Sequence, residues 1–518
     1  MSSTDQNSVS SDRRFFGHPR GLLTLFITEF WERWSFYGMR ALLVLFMMTA
    51  VAKNAESDGG GLGLSEAHAI AIYHIYGSLI YLMSLPGGWI ADRILGPRRS
   101  VFWGGVIILL GHVMLAVPGV APFFTGLGLV IVGTGLLKPN VSTVVGQLYS
   151  KDDARRDAAF SIFYMGINLG SFLSQLVCPW LAQSPTFRGW LESMGIDPAH
   201  SWQFGFGAAA VGMFCGLVQY ARGGRHLGQA GLHPATYGDP AAYAQAKKTL
   251  VRWIAAILVI GGVFAALVTS GTMHVTIEDV DHGFGFFLAL ITIGFFGWLF
   301  FSAKWTPAER KRLYVLFVLF VASTLFWSAF EQSGSTLTIF AEEKTSRELG
   351  GVTIASGQFQ SVNSLAIIFL SPIFAWIWMK LGPRDLSSPV KFALGLIVIG
   401  SGYAIMVRGA HIADTGILVS PLWLIMLYMF KSVGEVCLSP VGLSVMSKLA
   451  PERIVSLMMG VWFLSISVGF YLGGQIKLVC TSMKLSDAQL FTTIALITIV
   501  PGILLALCAK PLVRMMRD

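Results

Sequence analysis

Charged residues are scarce in this chain. Asp, Glu, Lys and Arg make up 13% of its 518 residues, hydrophobic residues make up 54%, and the mean hydropathy is +0.65. These values exclude a soluble globular protein and indicate an integral membrane protein. Short segments of alternating hydrophobicity are also absent, which excludes a transmembrane β-barrel. The chain should therefore cross the bilayer as helices.

Cysteines and catalytic motifs are equally scarce. The five cysteines, Cys178, Cys215, Cys437, Cys480 and Cys508, have neither paired nor metal-ligand spacing, so we expect no metal site. Neither HExxH nor GxSxG occurs, which argues against a membrane-embedded enzyme. The first twenty residues are polar and lack an apolar signal core, so the first span is the expected insertion signal. We predict that the chain is not an enzyme and needs no cofactor other than protons.

Apolar runs of about 20 residues, bounded by charges, Gly or Pro, recur along the chain. The fourteen predicted spans are 22–50, 68–91, 101–118, 121–147, 158–183, 203–221, 249–270, 284–302, 312–340, 353–381, 389–407, 418–447, 453–476 and 487–509. The hairpin 249–302 has almost no interior polar residues and should face lipid. We predict an all-α integral membrane protein with six-helix bundles in residues 1–221 and 312–518. Residues 222–311 would form a cytoplasmic loop and an inserted two-helix hairpin.

An internal repeat supports two related halves. Leu95-Gly-Pro-Arg follows the second span, and Leu381-Gly-Pro-Arg follows the second span of the later half. Equivalent placement of the two copies is typical of a transporter built from parallel repeats. The first copy lies in Gly88-Trp-Ile-Ala-Asp92-Arg93-Ile-Leu-Gly96-Pro-Arg98-Arg99, which resembles the cytoplasmic loop signature of the major facilitator superfamily.

Basic residues are distributed unevenly between alternate loops. Most of the 37 Lys and Arg residues lie in the loops DRILGPRRS, KDDARRDA, ARGGRH…KK, KWTPAERKR, KLGPRD and SKLAPER or near the two chain ends. By the positive-inside rule, these loops and both termini are cytoplasmic. The net charge of +9 therefore reports membrane orientation, and no nucleic-acid partner is expected.

Four ionisable residues lie inside the first apolar run: Glu29, Glu32, Arg33 and Arg40. At 100° per residue they share one helix face. A charge at bilayer depth costs at least ~2.5–3.5 kcal/mol, so these side chains should face partners or water. Two interpretations remain: intrahelical ion pairs that only hold a bundle together, and an interior path for an ion or substrate. The second is favoured.

Polar residues of other spans fall at two depths. The first layer, near the midplane, comprises Glu32, Tyr81, Lys138, Asn168, Glu435 and Trp462; the second, nearer the outside, comprises Arg40, His74, Asn363 and Glu331. Arg33 and Lys138 facing Glu435 would suit a zwitterion, although buried structural ion pairs are the alternative. Arg40 and Glu331 could pair when an outer mouth closes. His74 could take part because its unperturbed pKa is near neutral, or it could be a structural hydrogen-bonding residue.

Several motifs resemble those of one family. Glu29-Phe-Trp-Glu32-Arg33-Trp-Ser-Phe36-Tyr37-Gly38 resembles the ExxER(F/W)…YG motif of the proton-dependent oligopeptide transporter (POT/PTR2) family of the major facilitator superfamily. Other segments that resemble its signatures are Gly133–Ser142, Phe163–Ser171, Phe326–Gln332, Gln360–Asn363, Gly434–Pro440 and Trp462–Leu464. The inserted hairpin resembles the bacterial branch.

The resemblance implies a proton-coupled symporter that imports di- and tripeptides by alternating access, with a zwitterion-binding cavity between the bundles. It implies peptide binding by Arg33, Tyr37, Tyr81, Lys138, Asn168, Trp327, Asn363, Glu435 and Trp462. Proton coupling would involve Glu29, Glu32, Arg33, His74 and Glu331, and the outer gate would be Arg40 with Glu331. The expected partners are small peptides, peptide-like drugs and membrane lipid. A monomeric, multi-pass transport unit in the inner (plasma) membrane is expected.

Two residues depart from the family pattern. Phe36 stands where many members have Tyr, which leaves peptide-length preference open. Lys431 lies four residues before Glu435 and either extends outward or pairs with Glu435. Two other functions also remain open: a receptor that binds peptides without moving them, and a facilitator for drugs or sugars.

Overall fold

The structure, a computed structural model, describes residues 12–51, 60–150, 153, 155–302, 305–451 and 454–517. The polar start of the chain and parts of three basic loops, at 151–152, 154, 303–304 and 452–453, lie outside the described residues. Sequence predictions for those positions are therefore not compared with structure.

Helices form almost all of the described chain. They are α1 (Arg20–Arg40), α2 (Leu43–Met48), α3 (Glu66–Leu82), α4 (Ser84–Ile90), α5 (Pro97–Leu115), α6 (Val120–Gln147), α7 (Arg155–Gln183), α8 (Pro185–Ser193), α9 (Ser201–Gly223), α10 (Pro240–Thr269), α11 (Ile277–Gly297), α12 (Pro307–Phe330), α13 (Thr336–Glu343), α14 (Ser361–Leu381), α15 (Ser388–Ala413), α16 (Leu422–Leu449), α17 (Val455–Ser482), α18 (Asp487–Leu507) and α19 (Ala509–Arg517). Between α13 and α14, strands β1 (Glu348–Leu349) and β2 (Val352–Thr353) form a short antiparallel hairpin.

Thirteen helical stretches among the described residues are long and apolar enough to cross a membrane. The first predicted span, 22–50, corresponds to α1 and α2 and is not one of them, because Glu29, Glu32, Arg33 and Arg40 lie in α1. The structure thus has the elements of the predicted all-α membrane fold.

Helix packing places two interfaces at the centre of the molecule. α1, α3, α5, α6, α7 and α9 pack against one another, as do α12, α14, α15, α16, α17 and α18. The two groups meet where α3 packs against α17 and where α7 packs against α14. The space between the two groups is the natural position for a substrate site. The domain limits at residues 221 and 311 stay a prediction.

The first helix of each group stops inside the molecule. α1 ends at Arg40, and α2 resumes only at Leu43. α12 ends at Phe330 and is followed by a tight 3₁₀ turn, Glu331–Gly334. Arg40 and Glu331 therefore stand at the ends of corresponding helices, where carbonyl groups leave the regular helical pattern.

In both copies of the repeated Leu-Gly-Pro-Arg segment, a glycine with positive φ ends a helical segment. Gly96 and Gly382 adopt φ angles of +78° and +47°, a region that favours glycine, and each terminates a helical segment. Proline follows each glycine at the start of the next helical segment. The repeat therefore encodes equivalent helix ends.

The inserted hairpin differs from its prediction in two respects. Residues 240–248, expected in a loop, belong to α10, because Asp239 caps the helix and Pro240 suits its first turn. The apolar part of α10 is fully exposed, as expected for a lipid-facing helix. However, α11 is not wholly peripheral, since it packs on both α3 and α17. Its buried Asp281 accepts a hydrogen bond of 2.7 Å from Gln475.

Candidate functional site

A buried charge cluster lies on α1. The Nε atom of Arg33 donates to Glu29 Oε1 at 2.6 Å and lies 2.7 Å from Glu32 Oε2, the latter without hydrogen-bond geometry. Within the described part of the chain, neither Glu32 oxygen has a hydrogen-bond donor. Glu32 is thus held by the charge of Arg33 without a hydrogen bond, and its hydrogen bonding is incompletely satisfied. The predicted proximity of these three residues is present.

Lys138, on α6, lies behind a tyrosine. Its ammonium nitrogen is 3.7 Å from the centroid of the Tyr81 ring, a short cation–π distance. Its charge also interacts with Glu32 and Arg33. Tyr81 lines the central cavity, whereas Lys138 and Arg33 are set back from it. The predicted first-half cations are thus grouped, but one layer behind the cavity wall.

The central cavity has a volume of about 130 Å3 and is lined from both helix groups. Eight predicted site residues line it: Tyr37, Arg40, Tyr81, Asn168, Trp327, Glu331, Asn363 and Glu435. The two predicted depth layers therefore contribute to a single space.

The second-half wall carries an acidic hydrogen-bonding group. Asn363 Nδ2 donates to Glu435 Oε2 at 3.2 Å, and Ser432 donates to Asn363 Oδ1 at 2.9 Å. Glu435 thus presents a carboxylate to the cavity with no cationic side chain bonded to it among the described residues. The indole N–H of Trp327, on the same wall, also lacks an acceptor in the described structure.

Trp462 does not line the cavity. Its ring is buried, packs 6.4 Å from the Phe392 ring and lies against Gly442. A role in the cavity wall would need a different conformation. Phe36 is likewise buried, and its ring lies 5.8 Å from the Arg33 guanidinium carbon, so it shields the α1 charge cluster.

Arg40 and Glu331 form a buried ion pair that joins the two helix groups. Arg40 Nε also donates to the hydroxyl of Tyr73 at 2.7 Å. Neighbouring His74 bonds two elements: Nδ1 lies 2.6 Å from the Phe470 carbonyl of α17, and Nε2 lies 2.9 Å from the Oγ of Ser335, the residue that precedes α13. Because the carbonyl only accepts, Nδ1 carries the hydrogen, so neutral His74 is fully satisfied.

Lys431 follows neither sequence alternative. Its side chain does not extend outward, since it is fully buried, and among the described residues it forms no ion pair with Glu435. Its ammonium instead donates to the Phe330 carbonyl at 2.8 Å. The end of α12 offers this carbonyl because the helix stops there, a feature that helical periodicity did not indicate.

Sequence reasoning missed several lining residues. They are Tyr164, Ile167, Ser171, Gln175, Phe330, Ser333, Gln360, Ser364, Ile367 and Tyr428. Tyr164 and Gln360 lie within the recognised motifs, and Asn168 Nδ2 donates to the Tyr164 carbonyl at 2.9 Å. The positions of Tyr164 and Gln360 in those motifs were the signal in the sequence that could have identified them as lining residues. Ser171 and Ser364 hydrogen-bond across the two groups at 2.7 Å, a contact that only assembly creates.

Comparison with known proteins gives a consistent result. The model of the POT family matches residues 98–494. The chain is 41% identical to an uncharacterized transporter, YclF, of Bacillus subtilis strain 168, over 100% of this chain and 99% of YclF. It is 38% identical to a di-/tripeptide transporter of Lactococcus lactis subsp. cremoris, over 99% of each chain. A crystal structure of a mutant peptide transporter POT in complex with alafosfalin is similar to this structure, with a TM-score of 0.87, 41% identity and 99% coverage of both chains.

These relatives are transporters, so the prediction that the chain is not an enzyme is confirmed, and the fold is that of a multi-pass membrane transporter. The family match covers most of the sequence, and the resemblance in structure covers nearly all of it. The chain belongs to the POT family.

Proposed function

We propose that this chain is a proton-coupled symporter that imports di- and tripeptides, and related peptide-like compounds, by alternating access. The observation that carries the proposal is the central cavity between two helix groups, with the Glu435 carboxylate on one wall and Arg33 and Lys138 grouped behind the opposite wall. A short peptide is a zwitterion, and this charge separation fits its two ends.

In the proposed complex, Arg33 and Lys138 hold the peptide carboxylate. Asn168, Asn363 and Glu435 hold the ammonium end, for which the Glu435 carboxylate is the natural partner. Tyr37, Tyr81 and Trp327 form walls that tolerate different side chains, and Trp462 would join them after a rearrangement. No cofactor other than protons is involved.

Proton coupling follows from competition for Arg33. Glu29 and Glu32 both engage its guanidinium, so the cation is not free to bind a peptide carboxylate. A proton on Glu32 removes one competing negative charge and releases Arg33 toward the substrate. Peptide binding and protonation therefore favour each other.

The outer gate is the Arg40–Glu331 pair. Protonation of Glu331 would neutralise one partner and weaken the contact between α1 and the end of α12. His74, hydrogen-bonded to Phe470 and Ser335, would release these contacts as the mouth opens. We place the transporter in the inner (plasma) membrane as a monomeric unit surrounded by lipid.

Uptake of dialanine by the purified full chain in proteoliposomes tests the proposal. With an inward proton gradient, the internal concentration should exceed the external one, and a protonophore should abolish this accumulation. Equilibration without accumulation would contradict proton coupling, and binding without uptake would indicate a peptide receptor. Failure to bind or move dialanine would contradict the proposed substrate class.

A further inference from the structure

Lys431 is a buried cation to which the proposed transport mechanism gives no role. Its side chain is fully buried, and its one described hydrogen bond is to the Phe330 carbonyl at 2.8 Å. Its ammonium nitrogen lies 4.3 Å from the centroid of the Phe330 ring and 4.9 Å from that of Tyr428. A buried ammonium is costly unless an anion is near, so a nearby carboxylate should account for its charge.

The carboxylate whose charge acts most strongly on Lys431 belongs to the gate. Phe330, which holds Lys431, directly precedes Glu331, and the charge of Lys431 interacts with Glu331 and with Glu435. Glu331 is bonded to Arg40, while Glu435 accepts from Asn363. Lys431 is therefore bonded to the residue that precedes Glu331, and the Glu331 carboxylate already has Arg40 as its cationic partner.

Arg40 and Lys431 would move away from each other when the outer mouth opens. Arg40 belongs to α1, whereas Lys431 and Glu331 belong to α16 and the turn after α12, which pack in one helix group. Separation of the groups removes Arg40 from Glu331 but leaves Lys431 beside it. A buried carboxylate deprived of its partner strongly disfavours that separation.

We propose that Lys431 is a positioning residue for transport, the second counter-ion of Glu331. Its ammonium transfers from the Phe330 carbonyl to the Glu331 carboxylate when Arg40 leaves, so the outer mouth can also open while Glu331 is not protonated. This inference rests on the proposed alternating-access function. It assigns to Lys431 a role in conformational change and not in binding of the peptide ammonium.

Other charged and titratable groups surround this pair. The side chains that interact with Lys431 or Glu331 are Tyr37 and Arg40 of α1, Tyr73 and Tyr81 of α3, Lys138 of α6, Tyr403 of α15, and Tyr428 and Glu435 of α16. Tyrosines and arginine keep their protons well above neutrality. The readout must distinguish an effect through Glu331 from one through Glu435. An effect through Glu331 changes the maximal rate, whereas an effect through Glu435 changes KM.

Dialanine counterflow in proteoliposomes tests the proposal with Lys431→Met. The maximal rate of this variant should fall about ten-fold below wild type, because Glu331 loses its second counter-ion, with KM within about two-fold. Lys431→Arg keeps the positive charge and should retain the wild-type rate. Lys391→Met is the matched control, since Lys391 is also buried but bonds Asp385 at 2.6 Å, away from the cavity.

Each contrary result has a separate meaning. Absence of any loss in Lys431→Met, or an equal loss in Lys431→Arg, overturns the proposal, as does a changed KM at unchanged maximal rate, which would assign Lys431 to Glu435. Absence of counterflow in wild type would instead contradict the proposed transport function. If Lys431→Met does not purify as a folded protein, Lys431→Gln, which retains an N–H donor for the Phe330 carbonyl, takes its place with the same expectations.

Discussion

Glu32 and Arg33 show how a single buried contact separates two interpretations of the charged first helix. A purely structural cluster would be expected to satisfy its polar atoms, because unsatisfied buried groups are destabilising. Arg33 is held by Glu29, but both Glu32 oxygens lack hydrogen-bond donors in the described structure. We therefore retain the proposal that Glu32 gains and loses a proton, as against a residue that only holds helices together.

Replacement of Glu32 by Gln should abolish proton-driven accumulation of dialanine while leaving some peptide exchange. The amide cannot carry the coupling proton, yet Arg33 keeps Glu29 as a partner. Proteoliposome uptake with a proton gradient, compared with counterflow without one, measures both effects. Glu192→Gln is a control, because this carboxyl is exposed and lies on α8, away from the cavity. Concentrative uptake by Glu32→Gln would remove Glu32 from coupling.

Replacement of Lys138 by Ala should eliminate dialanine uptake, because a cation for the peptide carboxylate is lost. The truncation also removes the contact with the Tyr81 ring, so purified protein should first be checked for its melting temperature. Lys391→Ala removes a buried lysine outside the cavity and should retain uptake. Wild-type dialanine affinity in Lys138→Ala would contradict the carboxylate assignment.

At the scale of helices, close packing depends on small residues at a few crossings. A Cβ atom added at Gly87 of α4 would collide with the carbonyl oxygen of Gly135 in α6. The obstacle is backbone and cannot rotate away. The adjacent Gly88 has only ordinary contacts, with Pro139 ring atoms 4.0 Å from the added Cβ. The sequence motif includes Gly88, whereas the close crossing of α4 and α6 depends on Gly87.

Gly87→Val should therefore destabilise the protein by about 1–3 kcal/mol, the usual cost of overpacking. Gly88→Val is the matched control and should change stability much less, since both substitutions have the same effect on helix propensity. Thermal melting of the two purified variants in detergent makes the comparison. Equal melting temperatures would show that α4 and α6 can separate at this crossing without cost.

For the molecule as a whole, separate polar bonds form part of the contact between the two helix groups. Lys477 pairs with Glu66 at 3.1 Å, Ser78 bonds Ser467 at 2.7 Å, and Gln358 donates to the Leu176 carbonyl at 2.8 Å. Each such hydrogen bond contributes about 0.5–1.5 kcal/mol. Contacts of this size suit an interface that forms and breaks during a transport cycle.

The predicted membrane orientation can be tested on the whole chain. With both termini cytoplasmic, a green fluorescent protein fused after Asp518 should fluoresce, and alkaline phosphatase at the same place should be inactive. Fusion of the two reporters after Gly195, between α8 and α9, should give the opposite pattern. Active phosphatase at the carboxyl end would reverse the assigned orientation.

Much of the fold followed from local properties of the sequence. Apolar runs located the helices, and Gly96 and Gly382 marked equivalent helix ends. The predicted loop at 240–248 was wrong, because a polar helix that projects beyond an apolar span has no hydropathy signal. Likewise, the end of α12 before Glu331 could not be predicted, because it lies within a continuous apolar run.

The sequence by itself determined which charges are buried, since only a helix that faces partners or water can carry Glu29, Glu32 and Arg33 into a bilayer. Tertiary structure alone decided their partners. Lys431 is one helical turn from Glu435, yet its ammonium bonds Phe330, 101 residues away in the chain. Helical spacing fixes which side chains share a face, but the choice among neighbouring partners depends on where another helix ends, which is set by packing of the whole molecule.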